Sequence, residues 1–444
     1  MTKARAAIFL LLSLCSMFSL FWGFALEHSA RGIIVDLRVV YLGTRCLLQD
    51  GDPYNERQLK AVYQLEGGEH SSNPVALTEL PRVLLQLYLP TTYFFMAPFA
   101  LLPWSAAQFF WTGFTAAMFT LAAFLMWALA QAYASNVAFY LIAFLLANCG
   151  ILFAGGNPAG LAIGLCLVAV WCFLENQYVI AGVFCLALSL ELKPHDTGLV
   201  WLYFLLAGEA HRKRALQTLA LTLVLAIPAF LWIFHVSPQW MREMSANLLV
   251  TSAYGEVNDP VTSSMNKSGS GVIIDLQTVM SLFRDDPRFY NPATYLICGS
   301  LLLGWMNVTV RAPAALSKDY LALAVIAPLS LLPVYHRPHD AKLLILTIPA
   351  CAMLLAEGGL LGRVGLMLNS LAILITSDLP IAMLAILTKD LHFSNKSPLF
   401  NAIVSLLARP IPIILLALAS FYLWVFVRRF PSKLGVPDTS EQQV

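Results

Sequence analysis

The chain has 444 residues, of which 59% are hydrophobic and only 12% charged, with a formal net charge of +2 and a mean hydropathy of +0.72. Soluble domains carry about 25% charged residues, and no soluble fold of this length hides so much apolar surface, so the composition excludes a soluble enzyme or binding domain. The nearly balanced charge gives no electrostatic basis for binding nucleic acid.

The apolar runs are long and continuous rather than alternating, which predicts an all-α polytopic membrane protein and not a barrel. Every cysteine except Cys46 lies in an apolar run, and there is no CxxC pair or disulfide framework. Small buried hydrophobes are the expected role. Lys3 and Arg5 precede an apolar run over about 6–26, long enough for a retained first helix; a cleavable signal peptide is the alternative.

A first polar loop covers 27–104. Within it Leu37, Val40, Tyr41, Thr44, Leu47 and Leu48 recur at helical spacing, with Arg38 and Arg45 on another face. That pattern predicts an amphipathic helix over 35–49 lying at the membrane interface. Gly51 and Asp52-Pro53 close it. The stretch YLPTTYFFMAPFALLP, 88–103, is interrupted by Pro90, Pro98 and Pro103. It reads as a hairpin or surface helix rather than a straight span.

Spanning helices are expected at about 6–26, 105–132, 136–154, 159–175, 178–192, 195–208, 214–236, 293–310, 319–334, 341–357, 364–388 and 410–427, about twelve in all. A second polar loop covers 237–292, its 255–271 part reading as a mobile loop over a site, and the tail 434–444 reads as disordered. Residues 1–433 are expected to form a single membrane domain. With 88–103 not crossing, the clusters Lys3/Arg5, His211–Arg214, Arg311/Lys318, Arg363 and Arg428-Arg429-Lys433 all fall on one side. Short connections rich in Lys and Arg belong on the cytoplasmic side. Both termini are then cytoplasmic, and the two long loops, the Lys193 corner and the segment Tyr335–Asp340 face outward.

Asp36 has two readings: a general base near the membrane surface, or a helix cap at the start of the amphipathic helix. Lys193, in LSLELKPHDTG, reads as a phosphate ligand, as a lysine snorkelling to headgroups, or as a partner of Glu191 or Asp196. In Tyr335-His336-Arg337-Pro338-His339-Asp340, Arg337 suits a phosphate or diphosphate and His336 can supply a hydrogen bond or proton. The alternative there is an interface anchor at headgroup level. A metal site from His336, His339 and Asp340 lacks a recognised ligand spacing. Gly155-Gly156-Asn157-Pro158 reads first as a tight turn, with Asn157 a candidate contact for a sugar hydroxyl. No Walker motif, GxSxG or HExxH is present. No cofactor is required by the sequence, and no metal ligand set is assigned; a need for a divalent metal stays open.

An acid shortly after the first span is followed in order by YLPTTYFFMAPFALLP, GGNPAGLAIGLCL, AGVFCLALSLELKPHDTGLVWLYFLL with HRKR, and YHRPHDAKLLIL. In that order the pieces resemble the polytopic GT-C glycosyltransferases, most closely glycosyltransferase family 87, the polyprenyl-phosphate-mannose-dependent mannosyltransferases. The resemblance runs over about 1–430. The chain departs from the family in Leu-Pro-Thr where a double proline is common, and in Gly-Gly-Asn where Gly-Gln-Asn is common. The resemblance implies a hexosyl donor, mannose on a polyprenyl phosphate, a lipid or glycan acceptor at the outer face of the cell membrane, and inversion at the anomeric carbon. It implies that Asp36 is the base, that Lys193, His336 and Arg337 hold the donor phosphate, and that Tyr88, Asn157 and His339 are candidate sugar or acceptor contacts. Rival readings are a transporter or lipid flippase, for which Asp378 is the suggestive residue, another transferase of the same class, and a non-catalytic assembly factor.

Overall fold

In a computed structural model of the protein, the structure describes residues 2–66 other than 31–35, 84–261 other than 255 and 257, 272–383 other than 381, and 409–431. Most of the 255–271 loop and the 434–444 tail lie outside the described residues. Among the described residues every regular element is helical. The chain runs through α1 (Lys3–Ala30), α2 (Asp36–Leu48), α3 (Glu56–Leu65), α4 (Pro90–Ala100), α5 (Trp104–Ala130), α6 (Ser135–Ala147), α7 (Gly150–Gly155), α8 (Pro158–Leu174) and α9 (Val179–Leu192). It continues through α10 (Pro194–Leu206), α11 (Glu209–Val236), α12 (Trp240–Thr251), α13 (Gln277–Met280), α14 (Pro287–Arg311) and α15 (Leu316–Ser330). A 3₁₀ segment (Asp340–Thr347) then leads into α16 (Ile348–Glu357), α17 (Gly359–Ile375) and α18 (Pro410–Arg429).

Among the described residues, five helices are long and apolar enough to cross a membrane: α1 over Lys3–Ala25, α5, α11, α14 and α18. The shorter apolar helices include α6, α8, α9 and α17. Only 11% of the most apolar stretch of α11 is buried, and Leu223, Val224, Ile227 and Leu231 stand exposed along it. So much uncovered apolar surface fits a lipid environment. In contrast α8 is buried on nearly every side, as expected of a helix apolar all round and set inside a bundle.

Three expected segments take a different form. The run 136–154 is broken at Asn148-Cys149 into α6 and α7. There the Cys149 N–H donates to the Ser19 hydroxyl at 2.9 Å and the Ile151 N–H to Asp378 Oδ2 at 3.1 Å. Gly23 and Gly150 bring α1 and α7 together backbone to backbone; a Cβ on Gly23 would lie 2.1 Å from the Gly150 carbonyl oxygen. The run 341–357 opens as a 3₁₀ segment over Asp340–Thr347, and Pro349, which has no N–H to donate, sits in the first turn of the α-helix that follows. The third is α2. Its expected wet face is covered, and Leu37, Val39, Val40, Tyr41, Leu42, Thr44, Cys46 and Leu47 are all buried. Arg45 pairs with Glu66 at 2.7 Å, and Arg38 lies 5.6 Å from the Tyr63 ring centre and 5.8 Å from that of Trp104. With its cations engaged by the protein, α2 packs under α3 and α4 in a core of its own beside the main bundle.

The stretch 88–103 is not a straight span. Helix α4 has 11 residues, about 16 Å at 1.5 Å per residue, against about 30 Å of hydrocarbon. Pro90 sits in its first turn, where the missing N–H is harmless and φ is already set.

Candidate functional site

Local sequence places the site residues at helix ends. Pro194 stops α9 and starts α10, and the residue before a proline is driven out of the helical region. Lys193 accordingly stands in the corner between them at φ −157°, ψ 78°. The start of α4 is tied to this corner: Thr91 and Thr92 donate their hydroxyls to the carbonyls of Glu191 (2.6 Å) and Leu192 (3.1 Å). The segment before the 3₁₀ helix is pinned from the second polar loop. The Ile274 N–H donates to the His336 carbonyl at 3.0 Å, Leu276 to Leu332 at 2.9 Å, and the Gln277 amide to Pro333 at 3.0 Å. Asp36 opens α2, where the helix dipole favours a carboxylate.

Four charged or titratable side chains form a buried tier: Lys193, Asp196, His336 and Asp340 are each at most 8% exposed. The Lys193 ammonium contacts Asp340 Oδ1 and lies 3.3 Å from Asp196 Oδ2. The other Asp340 oxygen accepts from the Arg337 backbone N–H at 2.8 Å. Asp196 Oδ1 lies 3.2 Å from His336 Nε2 and 3.4 Å from His195 Nε2. Burial pulls the Lys193 pKa down, but Asp196 and Asp340 outweigh it and hold the group above its ordinary value. Burial likewise lowers His336, and the Asp196 carboxylate reverses the sign. Burial would raise Asp340, yet Lys193 foremost, then His339 and His336, hold it well below the usual carboxylate range.

A second tier is half-buried and reachable: Asp36, Tyr88, Tyr335, Arg337 and His339. Arg337 Nε donates to the Tyr335 hydroxyl, and the guanidinium lies 5.5 Å from the centre of that ring. The negative charge of Asp36 acts on Tyr88, Tyr335, Arg337 and His339, which places the carboxylate in the same neighbourhood as the segment Tyr335–His339. Burial first, then Asp36, pushes the Tyr88 phenol well above its ordinary value. Burial lowers His339, which favours its neutral form. Asp36 Oδ2 accepts from Asn157 Nδ2 at 2.9 Å.

The sequence-predicted residues therefore meet in one place, in unequal positions. Asp36, Tyr88, Arg337 and His339 are in the reachable tier, whereas Lys193 and His336 are behind them with carboxylate partners. Asn157 is both the turn residue and a site residue: its Oδ1 caps α8 by accepting from the Ala159 N–H at 2.9 Å while its amide reaches Asp36. His336 is not set with His339 and Asp340 as a ligand group. Among the described residues, the group of metal-ligand type is His195, Asp196 and His336. Asp378 caps α7 through Ile151 and lies 3.9 Å from Lys342, a structural duty that accounts for an acid at that depth.

His195, Asp196 and Asp340 were not assigned from sequence to the site centre, although a signal exists. Lys193-Pro194-His195-Asp196 and Arg337-Pro338-His339-Asp340 share one pattern, basic–Pro–His–Asp. The fold sets the two copies against each other, joined by the Lys193–Asp340 pair. In comparisons with known proteins, the chain matches no family profile, no curated protein and no solved structure.

Proposed function

We propose that the protein is an integral membrane hexosyltransferase of the GT-C type. In this reading it moves a sugar, mannose first among candidates, from a polyprenyl phosphate to a lipid or glycan acceptor. The observation that carries the reading is the reachable pair of opposite functions, with the Asp36 carboxylate at the start of α2 within electrostatic reach of the Arg337 guanidinium and its neighbour His339. Asn157 holds one Asp36 oxygen at 2.9 Å and leaves the other for an acceptor hydroxyl. Asp36 takes the hydroxyl proton as the acceptor oxygen attacks the anomeric carbon. The bond from that carbon to the phosphate oxygen breaks, and its electron pair leaves with the phosphate. Arg337 meets the charge that develops there, the place where a fixed cation contributes most. Lys193 and His336 sit one layer back and set the field behind the phosphate through Asp340 and Asp196. One displacement inverts the anomeric centre. The apolar helices fit a donor whose polyprenyl tail stays in the bilayer. About twelve spans, both termini in the cytoplasm and the site on the outer face belong to the same proposal, resting on the distribution of Lys and Arg along the chain.

The test is a transfer assay with a panel of polyprenyl-phosphate sugars on wild type and Asp36→Asn. Loss of a positioned base lowers turnover by roughly 10²–10⁴-fold, with thermal unfolding in detergent unchanged. Wild-type turnover in that variant, or no transfer from any donor, overturns the reading.

A further inference from the structure

His336 and Asp196 present a polar arrangement that the transferase reading leaves unexplained. Both side chains are fully buried. The His336 Nδ1 lies 2.8 Å from the Val334 carbonyl, which can only accept, so Nδ1 carries the hydrogen. Nε2 faces Asp196 Oδ1 at 3.2 Å, and the carboxylate holds a proton there when no other cation is present. Among the described residues, Asp196 Oδ1 has no hydrogen-bonding neighbour other than the rings of His336 and His195. A buried imidazole nitrogen facing a carboxylate oxygen needs a cation between them, a proton or a metal ion that displaces it. Lys193 does not fill this role, because its ammonium lies by the other oxygen, Oδ2, at 3.3 Å.

A third ligand atom converges on the same point. His195 Nε2 is 3.4 Å from Asp196 Oδ1, and the ligand atoms of His195, Asp196 and His336 lie within 4.8 Å of one another. At a metal–ligand distance of about 2.1 Å, separations of 3.2–3.4 Å correspond to angles of roughly 100–108° between the carboxylate oxygen and each imidazole nitrogen. The Nδ1–H of His336 bound to a backbone carbonyl is the usual outer contact that fixes a metal-binding tautomer. The His195 side chain is 45% exposed, so it provides an entry path and leaves a coordination position toward solvent.

We propose that His195, Asp196 and His336 bind one divalent transition-metal ion, Zn²⁺ being the best match to two imidazoles and one carboxylate. The proposal stands apart from the transferase reading, since it rests on three side chains and not on sugar chemistry. A fourth position left open by three protein ligands suits an oxygen ligand such as water or a phosphate, and its use on a donor phosphate alone depends on the transferase reading.

The experiment uses tag-free, full-length protein in detergent, stripped with a chelator and titrated with Zn²⁺ by calorimetry, with metal content measured after gel filtration. Wild type takes up about one ion per chain and releases protons on binding. His195→Ala, at a half-exposed position where folding is not at stake, weakens binding by at least the roughly 10–100-fold that loss of even an outer-shell partner costs. Asp196→Asn, whose folding is checked by its melting profile, weakens it further. No uptake by wild type, or uptake that His195→Ala leaves unchanged, overturns the proposal; the cation between His336 Nε2 and Asp196 is then a proton. Asp36→Asn keeps its Zn²⁺ whether or not transfer is lost, so the two readings fail separately.

Discussion

Asn157 Nδ2 donates to Asp36 Oδ2 at 2.9 Å, joining residues 121 positions apart, while the same side chain caps α8 through Ala159. One amide thus starts a helix and orients a carboxylate. The two duties separate by substitution. Asn157→Ser keeps a capping oxygen but loses the amide donor, so the melting temperature holds and transfer falls. Asn157→Asp keeps the cap and sets a second carboxylate against Asp36; like charges at that range force one to hold a proton. The acid limb of the pH–rate profile then moves to higher pH. An unchanged profile in Asn157→Asp would argue that the Asp36 carboxylate takes no part in transfer.

Gly156 precedes this contact at φ +59°, and a Cβ there would lie 2.8 Å from Leu37 Cβ. Its carbonyl also accepts from the Trp111 indole at 2.8 Å. Gly156→Ala therefore meets both backbone strain and a clash with α2, at a cost of about 1–3 kcal/mol. Detergent unfolding reports the loss. Because Leu37 adjoins Asp36, transfer falls with it.

Asp340 holds Lys193 with one oxygen and the Arg337 N–H with the other. Asp340→Asn leaves a buried ammonium with Asp196 as its remaining carboxylate partner, and breaking such a pair costs about 3–5 kcal/mol. Lys193→Met in the same chain removes the stranded charge. The double variant should be more stable than the sum of the single effects by about 0.5–3 kcal/mol, the range for residues in contact. Strict additivity would show that the contact contributes no coupling.

Glu243 on α12 gives a pH dependence with a defined sign. A hydrogen bond with Asp52, then burial, raises its carboxyl to about 7. The unfolded chain releases that proton near pH 4.3, the ordinary value of about 4.3 for glutamate. The folded chain binds more protons in between, so this stabilisation is complete below about pH 4 and is lost as pH rises through about 7. Melting temperatures compared at pH 5 and pH 8 should fall less in Glu243→Gln, whose amide keeps a donor at both. Equal falls would remove Glu243 as the cause.

Much of the site was legible because proline and capping residues act on their own neighbourhoods. Pro194 marks the Lys193 corner, Pro90 starts a helix too short to span, and Asn157-Pro158 starts α8. The burial of α2 was not legible: its spacing is amphipathic, and only the cover of α3 and α4 accounts for where Arg38 and Arg45 go. Nor was the ranking of the cations. Lys193 and Arg337 each open a basic–Pro–His–Asp segment, yet Lys193 is buried against two aspartates and Arg337 is half-exposed beside Tyr335.

The sequence by itself determined a helical chain with membrane-spanning composition and the corners at which its polar side chains are set. These are short-range effects: apolar periodicity, a missing N–H and a side chain reaching a backbone group two residues away. The tertiary structure alone decided that Lys193 meets Asp340 across 147 positions, and that His336 faces Asp196 rather than His339. A buried charge takes whichever counter-charge the packing of distant helices brings within a few ångströms, and no local pattern encodes that distance.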